Sequence, residues 1–268
     1  MRSKFLDELR AVRLADLPRG DAPVSKADLD SLPATARRYM IYMGALGRRP
    51  TWSVRAHARG AFRLAPDKPW MRCETWQFDT CLGVSRVFHM RLRYGGVVPM
   101  LVRDTYLEGR GHMLGRVLDA VSVVDEQDDH ITTGELVTYL NDAVLLAPSM
   151  LLRPEVSWTE VDDASFDVAL TDRGRTVSAR VFVDTDGFVT DFSTTDRFVS
   201  LPDHDGAARW TRTRWSTPTR GRRAVHGRTV ADSGQAIWHL PAGDFAYADL
   251  SFDRVEFDVA PVEVEVDA

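Results

Sequence analysis

From Trp52 onward the chain alternates. Trp52, Val54, Ala56, Ala58, Phe62 and Leu64 share one parity, while Ser53, Arg55, His57, Arg59 and Arg63 fill the places between. A period of two sends successive side chains to opposite faces, so the segment predicts a long strand with one dry face and one wet face. Similar runs follow at 71–78, 84–94, 97–108 and 111–124, the last closed by an acidic turn over 125–129. Gly95-Gly96 has the make-up of a two-residue hairpin turn. After Trp158 the pattern resumes at 165–170, 176–183, 188–199, 208–216, 222–230, 236–239 and 247–259. Asp172-Arg173-Gly174 and Asp184-Thr185-Asp186-Gly187 supply turns between them. Many turn-separated strands with no regularly spaced helices predict an antiparallel sheet, not a doubly wound one.

Two regions break this pattern. Over 3–14, Phe5, Leu6, Leu9, Val12 and Leu14 recur near a 3.6 period, which predicts a helix. Ser25 can cap a short turn running to Leu32, and Pro33 suits the start of a second helix over 34–46. Between the strands, Thr132 and Glu135 stand three apart as a capping box requires. The helix predicted there covers 132–147, with Pro148 ending it. Long strands with one wet face curl, and a helix placed between two halves of a curled sheet encloses an apolar pocket on its concave side. The expected fold class is therefore mainly β (α+β): a long curved antiparallel sheet or half-barrel with N-terminal helices and one inserted helix against the concave face. The expected division is a helical segment over 1–48, a β domain over 49–260 carrying helix 132–147, and a frayed tail over 261–268.

Composition narrows the chemistry more than the fold. The chain has 268 residues, 44% of them hydrophobic and 27% charged, enough to bury a large core without staples. The net charge of −5 argues against a nucleic-acid partner, and Arg220, Arg222, Arg223 and Arg228 read as a solvated edge strand. No stretch reaches 18 apolar residues, so no integral membrane helix is expected. The N-terminus carries charges every few residues, unlike a signal peptide, and a cytoplasmic location is expected. Cys73 and Cys81 are then reduced thiols, and no Cys/His group has metal-site spacing. Asp184-x-Asp186-Gly187 lacks the remaining ligands of a calcium loop. Gly109-x-Gly111-x-x-x-Gly115 has the wrong spacing for a dinucleotide loop, and neither a P-loop nor GxSxG is present. No cofactor is expected, so any chemistry must come from side chains.

Several motifs in order resemble an uncharacterised bacterial family, a domain of unknown function, over about 32–257. They are LPATARRYMIYMG at 32–44, Asp104-x-Tyr106-x-x-Gly109-x-Gly111-x-Met113, GELVTYLND at 134–142 leading to Pro148, Val156-x-Trp158, and AIWHLPAGDFAY at 236–247. The resemblance supplies no activity. Relatives in that family tend to have Arg where Thr138 stands and Glu where Asp142 stands, and the resemblance implies that the first departure removes an ion pair the family could bury there. The expected architecture is similar to the half-barrel carriers of lipids and lipoproteins, at the level of fold analogy.

Two sets of residues can carry chemistry. Met100, Val102, Asp104, Tyr106 and Glu108 share one strand face. On a concave face, Asp104 or Glu108 would be desolvated, its pKa raised, and able to act as general acid or base. A strand end emerging into water, or pairing with arginines of a neighbouring strand, would account for the same residues. On the helix, Glu135, Thr138, Tyr139 and Asp142 share a face opposite Leu136 and Leu140, with Asn141 beside it. Facing a cavity, that stripe would hydrogen-bond a ligand; facing water, it would only solvate the helix. The catalytic candidates are Asp104, Glu108, Tyr139 and Asp142. The ligand-binding candidates are Tyr106, Met113, Asn141, His89, Trp158 and Trp238. His89 and His239 are each placed to meet an acid across the sheet. The functions these residues fit are a binder of a lipophilic small molecule, a cofactor-independent isomerase or cyclase on the same cavity, or a partner-binding protein with a filled core. Nothing in the sequence sets the oligomeric state.

Overall fold

The computed structural model describes residues 7–10, 12, 22–118, 121–202 and 208–261. The strands form a single antiparallel sheet built from two meanders and a C-terminal bridge. The first meander is β1 (Ser53–Phe62), β2 (Met71–Thr80), β3 (Ser85–Tyr94), β4 (Val98–Leu107), β5 (Arg110–Val117) and β6 (Val121–Glu126). The second is β7 (Val156–Asp162), β8 (Ser165–Asp172), β9 (Arg175–Val183), β10 (Val189–Pro202) and β11 (Ala208–Ser216). The bridge is β12 (Thr219–Val225), β13 (Arg228–Leu240) and β14 (Gly243–Phe257). β14 pairs with β1, β13 pairs with β14 and β11, and β12 hangs on β13. The order β6-β5-β4-β3-β2-β1-β14-β13-β11-β10-β9-β8-β7 leaves β6 and β7 as free edges. The curled sheet is a half-barrel, and it does not close.

The short helices α1 (Lys26–Leu29) and α2 (Ala34–Tyr42) precede the sheet, and α3 (Asp129–Leu146) connects the two free edges. α3 runs through the concave side, in contact with β4 and β5 of one half and β9 and β10 of the other. Fourteen of its 18 residues are buried, a pattern expected of a helix enclosed on all sides. Two contacts seat it. Gly111 of β5 lies so close that an added Cβ would stand 2.6 Å from the Thr132 backbone. The Gly111 N–H also donates to Thr132 Oγ1 at 3.1 Å. On the other side, the Tyr39 hydroxyl of α2 donates to the Val144 carbonyl at 2.7 Å. The main core joins α2, α3 and the inward residues of the second meander, with Tyr39, Leu140, Phe166, Val181 and Phe192 all at most 1% exposed.

Most predicted elements stand within a few residues of their expected ends, and the differences have local causes. Ser25 does cap α1, in a reciprocal box with Asp28. α3 begins earlier than expected because Asp128, not Thr132, is its N-cap, accepting from the Ile131 N–H at 2.8 Å. Thr132 Oγ1 instead donates to the Asp128 carbonyl. The run 111–124 is two strands, and so is 222–230, which turns at His226-Gly227. The glycines Gly95 and Gly96 both have positive φ, but Tyr94 pairs with Val98, so the loop has three residues. Three other hairpins turn on two residues with both φ positive: Glu108-Gly109, Arg173-Gly174 and His226-Gly227. That is the primed geometry matched to strand twist. Of the helix expected over 3–14, residues 7–10 are helical, and the rest apart from Val12 lies outside the described residues, as does the tail over 262–268. Leu9 and Val12 pack with Phe78 and Val87 on the convex face of β2 and β3.

Candidate functional site

Strand register stacks the inward side chains of β2, β3 and β4 in rows. Asp79, Arg86 and Tyr106 form one row, Gln77, Phe88 and Asp104 the next, and Thr75, Met90 and Val102 the third. β5 adds Met113 opposite Asp104. Between these rows, α3 and the bridging strands lies a cavity of about 220 Å³. Its apolar walls include Phe62, Phe88, Met90, Val102, Leu250 and Phe252. The helix contributes Thr138, Asn141, Asp142 and Leu145, which recur at i, i+3, i+4 and i+7. The polar lining is completed by Gln77, Arg86, Asp104, Arg197, Thr217 and Gln235.

A buried ion cluster closes the helix side of this cavity. Arg86 is 4% exposed and donates from Nε to Asp142 Oδ2 at 2.8 Å and from Nη1 to Glu135 Oε2 at 2.9 Å. Asp79 lies 4.0 Å from the same guanidinium and accepts from Gln77 Nε2 at 2.5 Å. Asp142 also accepts from Asn141, whose own oxygen accepts from the Thr217 hydroxyl. Four acids (Asp79, Asp104, Glu135, Asp142) thus face two arginines, Arg86 and Arg197. Burial is the largest influence on each acid and raises all four carboxyl pKa values. At Asp142 burial outweighs the attraction of Arg86. Glu135 rises to about 8, from burial and then from the nearby Asp104 charge. Arg86 keeps its charge, because the surrounding carboxylates hold its pKa above the ordinary value against its own burial.

Arg197 reaches the cavity through a bulge. The β10–β11 register slips between Thr194 and Arg197, and Asp196 is held aside by the Ser178 N–H and hydroxyl at 2.8 and 2.9 Å. The slip shifts the alternation, so Arg197 points inward. Its guanidinium lies 4.3 Å from the Trp215 ring and 5.5 Å from Trp238. It lies beside Gly134 of α3, where an added Cβ would meet Arg197 Nε at 3.8 Å, an ordinary contact. That Nε, and Oδ1 of Asp104, have no hydrogen-bond partner in the protein. Burial raises the Asp104 carboxyl pKa, and the nearby charges of Arg86, then Arg197 and Arg103, pull against it.

The expected site residues separate into two groups. Asp104, Asp142, Met113 and Asn141 line the cavity. Glu108 does not, because β4 ends at Leu107 and Glu108 sits exposed in the turn with φ 51°. Tyr106 is fully buried in the row beside Arg86, and its hydroxyl donates to Asp172 at 2.8 Å. Tyr139 belongs to the main core, a quarter-turn away from the cavity-lining residues of α3. His89 has the opposite parity to Phe88 and Met90 and packs on Trp76 at 5.7 Å. Trp158 packs on Phe166 at 5.6 Å, away from the cavity. Trp238 lies one layer behind the wall, stacked on Tyr247 at 6.4 Å and beneath Arg197.

Arg86, Arg197 and Asp79 were missed from sequence. Two of them had a signal: Arg86 shares parity with Phe88, Met90 and Leu92, and Asp79 with Met71 and Cys73, so each carries a charge on a dry face. His239 does meet an acid: Nδ1 lies 2.7 Å from Asp244, and Nε2 lies 2.9 Å from Ser216 Oγ. The order matches a Ser-His-Asp triad. Ser216 is only 2% exposed, which leaves no approach for an acyl group, and the trio ties β11, β13 and β14 together. Burial pushes the Cys73 thiol up to about 11, which disfavours the thiolate. No group of three or more metal-ligating side chains occurs among the described residues. None of the helices described is long and apolar enough to cross a membrane.

Among solved structures, the chain is similar to a LolA-superfamily protein from Nitrosomonas europaea, with 10% identity, 83% of this chain and 91% of that one covered, and a TM-score of 0.43. A DUF1329 family protein from Desulfovibrio piger gives 12%, 89%, 94% and 0.43. A putative outer membrane lipoprotein-sorting protein domain from Vibrio parahaemolyticus gives 9%, 78%, 86% and 0.36. No curated protein matches the sequence. Residues 22–250 match the family of unknown function DUF6544, and the chain belongs to that family.

Proposed function

We propose that this protein binds a small lipophilic molecule with one polar end in the cavity between the sheet and α3. The observation that carries this reading is the cavity itself, about 220 Å³, walled by aromatic and aliphatic side chains yet lined also by two charged ones, Asp104 and Arg197, that no hydrogen bond engages among the described residues. Apolar walls favour a dehydrated chain, while a few fixed polar groups orient it. Toluene and heptan-1-ol are suitable probes, and each is expected to raise the unfolding temperature in proportion to ligand occupancy. Met113→Trp, which fills the space beside Asp104, is expected to abolish the effect while the protein stays folded. Equal response in wild type and Met113→Trp, or no response in either, sinks the reading.

A second reading has one observation behind it. The Asp104 carboxyl lines the cavity and its pKa is raised by burial. That fits a cofactor-independent isomerase or cyclase on the same cavity, with Asp104 as acid or base. For any substrate found, unchanged turnover in Asp104→Asn removes this reading and leaves the binder.

A further inference from the structure

Resting on that proposed binding role, we infer that the cavity selects a neutral chain with a terminal hydroxyl over an acid or an amine of the same length. Most polar groups around the cavity are already engaged. Arg86 is held by Asp142 and Glu135, and Asn141 by Asp142 and Thr217, so none of these needs a ligand. Among the described residues, no hydrogen bond engages the Asp104 carboxylate or the Arg197 guanidinium, and both side chains line the same cavity. The first needs a donor and the second an acceptor. A hydroxyl is both at once. A carboxylate head would satisfy Arg197 but would bring one more negative charge among Asp79, Asp104, Glu135 and Asp142. An ammonium head would satisfy Asp104 but has no acceptor for Arg197, and it would add a cation beside Arg86 and Arg197. Aromatic rings already lie against the Arg197 guanidinium, so its face is occupied and its edge is what a ligand meets.

Size sets the chain length. At the ~30 Å³ that a non-hydrogen atom takes up in a liquid, as water does, the 220 Å³ cavity holds roughly seven or eight such atoms. A two-chain lipid does not fit inside it. A single short or branched aliphatic alcohol does, with its chain against Phe62, Phe88, Met90 and Leu250.

The test uses three probes that differ only in the head: heptan-1-ol, heptanoate and heptan-1-amine. Each is titrated into the full chain at about pH 8 and followed by amide and methyl chemical shifts. Heptan-1-ol is expected to bind at least tenfold tighter than either of the others. Asp104→Asn, nearly isosteric and free of the charge, is expected to raise heptanoate affinity tenfold or more relative to heptan-1-ol. Heptanoate or heptan-1-amine binding as tightly as the alcohol to the wild-type protein overturns the inference and leaves the binding role standing. Absence of binding by all three overturns both. The wild-type comparison decides the matter even where the variant fails to fold.

Discussion

The two meanders face the same helix with opposite chemistry. In the second, the inward side chains Phe166, Val168 and Leu170 of β8, Val177 and Val181 of β9, and Phe192 of β10 are aliphatic or aromatic and at most 1% exposed. In the first, the corresponding positions hold Asp79, Gln77, Arg86, Asp104, Tyr106 and the thioethers of Met90 and Met113. One half is filled, and the other encloses the cavity. The difference shows how a half-barrel divides its labour. Close packing on one side fixes the position of α3. That leaves the other side free to keep charges and space, at a cost in stability which the packed side offsets.

The sharpest way to break this comparison is Arg86→Leu. It leaves Asp142, Glu135 and Asp79 buried without their cation, and a loss of about 3–5 kcal/mol is expected in urea unfolding. A loss near zero would mean that the cluster relaxes into water and is no enclosed site. Next is Leu170→Ala in the packed half, where Leu170 is 0% exposed. It is expected to cost about 2–5 kcal/mol through lost burial and a residual void, with heptan-1-ol binding retained. Loss of binding as well would show that the two halves are coupled through α3.

The third test is a pH dependence, whose effect is small within any one pH unit. Glu135 has its folded pKa raised from 4.5 to about 8, so the folded state holds this proton more tightly than the unfolded state. Its ionisation therefore costs stability progressively as pH rises from about 4.5 to about 8, by at most ~1.4 kcal/mol per pH unit. Glu135→Gln keeps an acceptor for Arg86 and carries no such proton. The stability difference between wild type and Glu135→Gln should move in favour of the variant across that window and stay level above it. A constant difference from pH 5 to 8 would place the Glu135 carboxyl in water.

Much of the fold was legible because alternation survives wherever one sheet face is dry. β1 shows it plainly, with Val54, Ala56 and Ala58 buried and Arg55 and Arg59 outside. The hairpins at Glu108-Gly109 and His226-Gly227 were not legible. Their first turn residues adopt positive φ without being Asn, Asp or Gly, so composition gives no turn signal there. The helix N-terminus was misplaced for a related reason: Thr132 and Asp128 are both suitable caps, and only the contact with Gly111 uses Thr132 elsewhere. In the site, Asp104, Met113, Asn141 and Asp142 could be named from strand parity and helix spacing. Arg197 could not, since the bulge at Asp196 reverses the parity that the sequence implies.

The sequence by itself determined the antiparallel sheet, the inserted helix and the parity that places Asp104 on a dry face, because these follow from local periodicity. Tertiary structure alone decided that Arg86 answers Asp142 and Glu135, that Arg197 enters from the other half, and that a cavity stays open between them. Those facts depend on strand register and on the meeting of segments 49 and 56 residues apart for Arg86 with Glu135 and Asp142, which no local pattern encodes.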